Sequence, residues 1–472
     1  MEFEGENSTN VKNDMFEMIR NKNIFRQAAD YAYEYMNDLM DRRVFPDEKA
    51  IAALSDFNEP MPLSPGIPDE IIRHLHEKGS PATVAHAGGR YFGFVNGGAV
   101  PVAVAAKWLS TVWDQNAALY VISPVLAKLE EICEKWLIDL FGLPEGTGAG
   151  FVTGTSIATF CGLAAGRNAV LRNAGWNVGK KGLFNAPKIR VIAGEEAHAT
   201  VFKALSLLGM GIDNVELVPT DEQGRMISEK VPPLDESCLV ILQAGNVNSG
   251  SFDPIYEICS KAKKTGAWIH VDGAFGLWAA CTERKKNFTA GIELADSWSV
   301  DGHKTLNTPY DCGIVLCRNK EDLASAMQAS ASYIIYSENR DNMLLTPDMS
   351  RRGRAVELWA TLKFLGKRGI AEMIDGFCDH ALTLADMLKK EGFQILNDVV
   401  FNQVLVSCGT SEETRALLSA LQNSGDCWCG GAVWKGVQAI RMSICSWATT
   451  EKDIEKTVAA FIKMRKQAAL NG

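Results

Sequence analysis

The chain has 472 residues, a formal net charge of −9 and an ordinary globular composition, 47% hydrophobic and 22% charged. That length exceeds what one hydrophobic core usually organises and predicts a large domain with a smaller one. The acidic balance, with no Lys/Arg stripe, gives no nucleic-acid footprint and favours a small-molecule partner.

In chain order, Met1 to Asn23 is acidic and polar without the apolar centre of a secretory signal, so the protein is expected in the cytoplasm. Phe16 to Met40 is patterned as an amphipathic helix, and prolines 60, 62, 65 and 68 follow, so residues 1–85 read as a helical arm. Tyr91 to Ala106 is apolar but broken by Gly97, Gly98 and Pro101, which predicts a buried core segment and no membrane span. Leu126 to Leu140 repeats apolar residues every three or four positions, and Gly142-Leu143-Pro144 stops that helix.

From there, short β-branched runs alternate with helical stretches. The runs are Ile189–Ile192, Val215–Val218, Cys238–Leu242, Trp268–Val271, Trp298–Val300 and Gly313–Leu316, with helices expected at Thr200–Leu208 and Ile255–Lys264. This alternation predicts an α/β fold with a mostly parallel sheet. Past residue 345 come helices at Arg354–Leu365 and Ile370–Leu388, then strands at Val404–Ser407 and Ile440–Ile444, which suit a smaller α+β lobe over 346–472.

The twelve cysteines form no C-x-x-C pair and mostly sit in apolar surroundings, such as Cys161, Cys259 and Cys317. They read as buried free thiols in a reducing compartment. Neither Cys427-Trp428-Cys429 nor His74-Leu75-His76 has a second ligand pair at zinc spacing, so no metal is expected.

In an open parallel sheet, functional groups gather beyond the carboxyl ends of the strands, and four segments fall there. Thr153-Gly154-Thr155-Ser156 leaves a short strand and opens a helix. Its small residues let backbone N–H groups converge on a phosphate, although alone the turn reads first as a plain Ser/Thr N-cap. His198 lies in a strand-to-helix turn, where an imidazole can stack on an aromatic cofactor or simply cap the helix. Asp272 ends an apolar strand; a carboxylate there caps the next helix or keeps a heterocyclic nitrogen protonated, and the small Ala274 leaves room for a flat ring. Lys304 closes another apolar strand, where desolvation frees its amine to bond an aldehyde, against the commoner surface lysine. Together these residues supply a phosphate cradle, a stacking ring, a carboxylate for a ring nitrogen and an imine-forming lysine. Pyridoxal 5′-phosphate (PLP) needs all four.

With these segments in place, the chain resembles the group II PLP-dependent amino-acid decarboxylases from about His86 to about Thr450, most specifically in the run Asp296 to Gly313. The resemblance implies a PLP-dependent transferase-like (fold type I) architecture, with residues 86–345 as the large PLP-binding domain. It implies that Lys304 carries the cofactor as a Schiff base, Asp272 pairs with its ring nitrogen, and His198 and Ala274 lie against its two faces. Gly154, Thr155, Ser156 and His303 would hold the phosphate. It further implies a homodimer, with Ser123-Pro124 and residues 113–116 near shared sites. The expected reaction is decarboxylation of an L-amino acid to its amine and CO₂. The alternatives are another PLP reaction (aminotransferase, aldehyde synthase or C–C lyase) and a catalytically silent interaction protein.

Arg441 matches an arginine that the family places near the substrate, where it binds a carboxylate or forms a strand–helix salt bridge. Phe94 reads as the lining of a substrate pocket or as plain core. Two departures stand out. Val247 replaces a threonine common in the family, leaving Asn246 or Asn248 to supply an amide. Asn342 falls where the family places a proton-donating loop tyrosine; Tyr336 is the nearest substitute, and His198 is the next candidate acid.

Overall fold

The computed structural model describes residues 11–328 and 339–470. Its larger sheet has seven strands: β1 (Gly148–Val152), β2 (Arg190–Gly194), β3 (Val215–Val218), β4 (Cys238–Gln243), β5 (Trp268–Asp272), β6 (Ser297–Asp301) and β7 (Gly313–Cys317). Their spatial order is β1-β7-β6-β5-β4-β2-β3. Every residue of β4, β5, β6 and β7 is buried, because helices cover both faces; continuous apolar runs are what such strands need. The expected strands are all present, and the sheet is parallel except at β7, which runs antiparallel to both β1 and β6. That inversion leaves β1 parallel to β6, so the turns after both strands open at the same edge.

The helix Thr155–Asn173 covers one face, packed with Val191, Leu239, Ile241 and Val315. The other face is covered by Pro124–Phe141, Ile255–Thr265 and the start of the long helix Ala355–Lys390. The two helices expected after residue 354 form one run broken at Gly366, whose φ of 58° is outside the helical range and suits glycine. The single amphipathic helix expected over 16–40 is instead two, Val11–Asn21 and Asn23–Asp38, parted by Lys22 in a left-handed conformation.

A second, antiparallel sheet has the order β10-β11-β9-β8, with β8 (Gln394–Ile395), β9 (Gln403–Ser407), β10 (Gly430–Trp434) and β11 (Val437–Ser443). The helices Ser411–Ser424 and Glu451–Leu470 pack on it around Leu417, Leu421, Ile454 and Phe461. Buried ion pairs tie residues 340–351 to the helix Pro124–Phe141: Arg340 to Glu134 at 2.6 Å and Arg351 to Glu130 at 2.8 Å. Among the described residues, no helix is long and apolar enough to cross a membrane. Nor does any group of three or more His, Cys, Asp or Glu among them stand ready to hold a metal ion.

Candidate active site

The carboxyl ends of β1, β2, β4, β5 and β6 frame a cavity of about 330 Å³. It is lined by Gly154, Thr155, Ser156, His198, Asp272, Ala274, His303 and Lys304, with Phe94 and Arg441 closing it from outside the sheet. The structure therefore brings together the site residues expected from the sequence, apart from Tyr336, which lies outside the described residues.

The turn after β1 is held tightly. A side chain at Gly313 on β7 would overlap the Gly154 backbone, and a Cβ at Gly154 would come within 3.3 Å of the His303 ring. The Thr155 hydroxyl at the mouth of the following helix is buried and has no hydrogen-bond partner among the described residues. An unsatisfied buried hydroxyl at a helix N-terminus is a donor that an anion can use.

His198 caps the helix Ala199–Leu207, and its Nδ1 accepts the Thr200 N–H at 3.3 Å. The proton of the neutral ring therefore sits on Nε2. Burial lowers the imidazole's pKa, against the opposing charge of Asp272, so the ring is held neutral. The capping and stacking readings of His198 are thus compatible, because one nitrogen caps while the ring lines the cavity.

Asp272 is buried at the tip of β5 and accepts the Ala274 N–H at 3.2 Å. Burial pushes its carboxyl up, while His198 and Lys304 pull the other way. On the neighbouring strand tip, Asp301 lies 3.0 Å from Lys304 Nζ. His303 Nδ1 accepts the Cys312 N–H at 3.0 Å, which leaves Nε2 as the donor facing Asp301 at 3.6 Å. Its ring stacks on Tyr310 with centroids 4.4 Å apart.

Arg441 projects from β11 into the cavity, and its Nε is buried without a partner among the described residues. Among the described residues it makes a single, long hydrogen bond, Nη1 to Asn248 Oδ1 at 3.5 Å. Among the described residues, the strand–helix salt bridge open to it from sequence is not formed. Asn246 Oδ1 accepts the N–H groups of Asn248 and Ser249, and neither amide lines the cavity, although Asn248 Oδ1 reaches Arg441. Asn342 is buried away from the cavity lining, donating to the Ala117 carbonyl and accepting from Arg340, which makes it a structural residue.

Sequence reasoning gave no role to Asp301, although it ends the same strand three residues before Lys304. It also missed Gln243, Gly245 and Thr200 in the wall, which only the tertiary arrangement places there.

The sequence pattern of the pyridoxal-dependent decarboxylase conserved domain matches residues 64–408. The chain belongs to the pyridoxal-dependent decarboxylase family. Its cofactor is pyridoxal 5′-phosphate, and the site fits that group: the orphaned Thr155 hydroxyl at a helix N-terminus suits a phosphate, and the buried Asp272 suits a ring nitrogen. Among curated decarboxylases, the acidic amino acid decarboxylase GADL1 of Mus musculus is 30% identical over 330 residues, covering 67% of this chain and 59% of that protein. The aromatic-L-amino-acid decarboxylase of Bacillus atrophaeus is 27% identical, covering 77% of this chain and 75% of its own length. The chain spans about three fifths of the length of the GADL1 relatives from mouse, human and cattle. Among solved structures, Oryza sativa TDC with PLP and tryptamine superposes with a TM-score of 0.87 at 20% identity over 99% of both chains. Mouse CSAD gives 0.87 at 20% identity over 94% of this chain and 98% of that one. These likenesses show that the family's fold extends over nearly the whole chain.

Proposed function

We propose that this protein removes the α-carboxylate of an L-amino acid as CO₂ and releases the amine. The observation that carries this reading is the meeting of Lys304, Asp272, His198 and the Thr155 turn in one cavity at the sheet edge. When bound, PLP supplies an electron sink for the pair released at the substrate's Cα. Lys304 provides the amine that anchors the aldehyde carbon, and Asp272 holds a proton on the ring nitrogen by close charge pairing. His198 and Ala274 would hold the ring, and Gly154, Thr155, Ser156 and His303 would bind the phosphate.

Which substrate bond would break depends on how the substrate is oriented, so the grip on its carboxylate would decide the reaction. Arg441, a half-buried guanidinium without a carboxylate partner among the described residues, is the group for that grip. Phe94 lies at the cavity mouth, beside the substrate's side chain. The proton returned to Cα comes from Tyr336 or from His198 Nε2.

The test is a panel of acidic and aromatic L-amino acids scored for CO₂, amine, keto acid and aldehyde. Stoichiometric amine and CO₂ support decarboxylation, whereas keto acid or aldehyde as the main product rejects it. In Tyr336→Phe, a shift from amine to carbonyl product assigns the proton to the tyrosine; unchanged amine output removes it from the mechanism.

Arg441→Met is expected to raise KM by about 10- to 150-fold, the worth of about 1.5–3 kcal/mol for a hydrogen bond to a charged group. Because it also removes a half-buried cation that has no carboxylate partner among the described residues, the same variant is expected to melt no lower than the parent without substrate. A lowered Tm with unchanged KM would make Arg441 purely structural.

We also infer a homodimer. The helix Pro101–Trp113 exposes Leu109 and Val112, the latter 77% accessible, and the N-terminal helix exposes Phe16 and Ile19. Exposed apolar side chains of this kind favour an association face, and the helix Pro101–Trp113 runs directly into residues 113–116, which the family resemblance places near shared sites. Light scattering should read twice the 51.5 kDa chain mass; a monomer would reject the inference. The cytoplasm is the inferred compartment, supported by twelve unpaired cysteines, all buried except Cys281 and Cys408.

A further inference from the structure

A carboxylate of the chain itself occupies the donors of the anion cradle. Asp301, buried at the end of β6, accepts the Thr155 N–H through Oδ1 at 2.7 Å, and this is the first amide of a 19-residue helix. Its Oδ2 lies 3.0 Å from Lys304 Nζ and 3.6 Å from His303 Nε2. Three groups assigned above to the phosphate and to the aldehyde are thus already paired with one internal anion. A phosphate dianion at the same donors would meet a second buried negative charge, which a low-dielectric site does not tolerate.

We propose that Asp301 gates cofactor loading by accepting the proton that the Lys304 ammonium gives up, so that the phosphate meets a neutral carboxylic acid instead of a second anion. The proton passes from Lys304 Nζ to Asp301 Oδ2 across their existing contact, the amine's lone pair becomes available to the aldehyde carbon, and the chain's net charge is unchanged. As a neutral acid, Asp301 has an O–H to donate where it previously only accepted.

The charge on Lys304 decides which form Asp301 takes. Burial pushes the Asp301 carboxyl up, but Lys304, His303 and the Thr155 N–H overcome it and hold the group below the ordinary carboxylate range. Once Lys304 loses its charge, the strongest of those opposing influences disappears and burial favours the protonated acid. The other titratable groups facing it are Asp272 from β5, which favours protonation further, His198 from the turn after β2, and Tyr310 and Cys312 from the loop before β7.

The proposal rests on the reading that the phosphate lies at the Thr155 turn, and the experiment separates the two. Pyridoxine 5′-phosphate, which has no aldehyde, and pyridoxine, which also lacks the phosphate, are titrated by tryptophan quenching into the cofactor-free wild type, Asp301→Asn and Ser156→Ala. Asp301→Asn, which keeps the acceptor for the Thr155 N–H, is expected to bind the phosphorylated ligand at least tenfold more tightly and pyridoxine unchanged. Ser156→Ala is expected to weaken only the phosphorylated ligand. If neither variant alters the difference between the two ligands, the phosphate lies elsewhere and the gate falls with it; if only Ser156→Ala does, the gate alone is overturned. Infrared difference spectra of the wild type need no folded variant: loading with PLP should produce a protonated-carboxyl C=O band, and its absence overturns the proposal.

Discussion

Lys304→Ala is expected to lower kcat by at least about a thousandfold, the scale on which positioned acid–base and covalent groups act. Added PLP should also fail to give the near-visible absorption of an imine. The lysine stands at the tip of a fully buried strand, one residue beyond the His303 ring and across the cavity from Asp272. No other lysine lines the cavity among the described residues, so no neighbouring amine can substitute. The variant should carry a second signature in its stability. In the wild type, Lys304 helps hold Asp301 below the ordinary carboxylate range, so Asp301 stabilises the fold at neutral pH and that contribution is lost as pH falls. Without the ammonium, burial dominates, the folded pKa moves above the unfolded one, and Asp301 destabilises the fold progressively as pH rises. Denaturant titrations of Lys304→Ala should therefore show a deficit that grows from acid to neutral pH. Lys304→Arg, which keeps the charge but cannot form the imine, should recover stability and not activity. An active Lys304→Ala would leave the mechanism without its nucleophile.

Asp272→Asn should cost kcat by about a hundred- to ten-thousandfold. An amide at this position cannot hold a proton on the ring nitrogen, so the cofactor loses its capacity to accept electrons. Single-turnover rates at saturating PLP read this directly. The effect on the cofactor-free protein has the opposite sign. Burial raises the Asp272 carboxyl above its ordinary range, so the charged form costs stability once pH exceeds the unfolded value. Asp272→Asn should therefore melt higher than the parent at pH 8 without cofactor, while binding PLP more weakly. A variant that loses activity and stability together would point to a residue that merely supports the fold.

The central strands were legible because parallel strands buried on both faces must be continuous apolar runs, and the carboxyl end of each run marks where chemistry can sit. Asp272 and Lys304 were found in that way, two residues defined by the ends of β5 and by the loop after β6. What escaped notice has equally physical reasons. The strand Gly430–Trp434 starts with two glycines and alternates in burial, so it carries no β-branched run. The helix Pro101–Trp113 begins within the apolar stretch Tyr91 to Ala106, in which Phe94 and Val95 take positive φ values that no pattern of hydrophobicity announces. The helix Ser411–Ser424 did carry a readable signal, the Thr410/Glu413 capping box, which went unused. Asp301 was in plain view within the Asp296 to Gly313 run. Its importance arises from contact with Thr155, 146 positions away, and that depends on β7 running antiparallel between β1 and β6.

The most direct test of the account is to load the protein with PLP, reduce it with borohydride, digest it and locate the modified peptide by mass spectrometry. The account predicts a pyridoxyl group on Lys304 and on no other lysine. Label on a different lysine, or a protein that carries none after exposure to excess PLP, would contradict it.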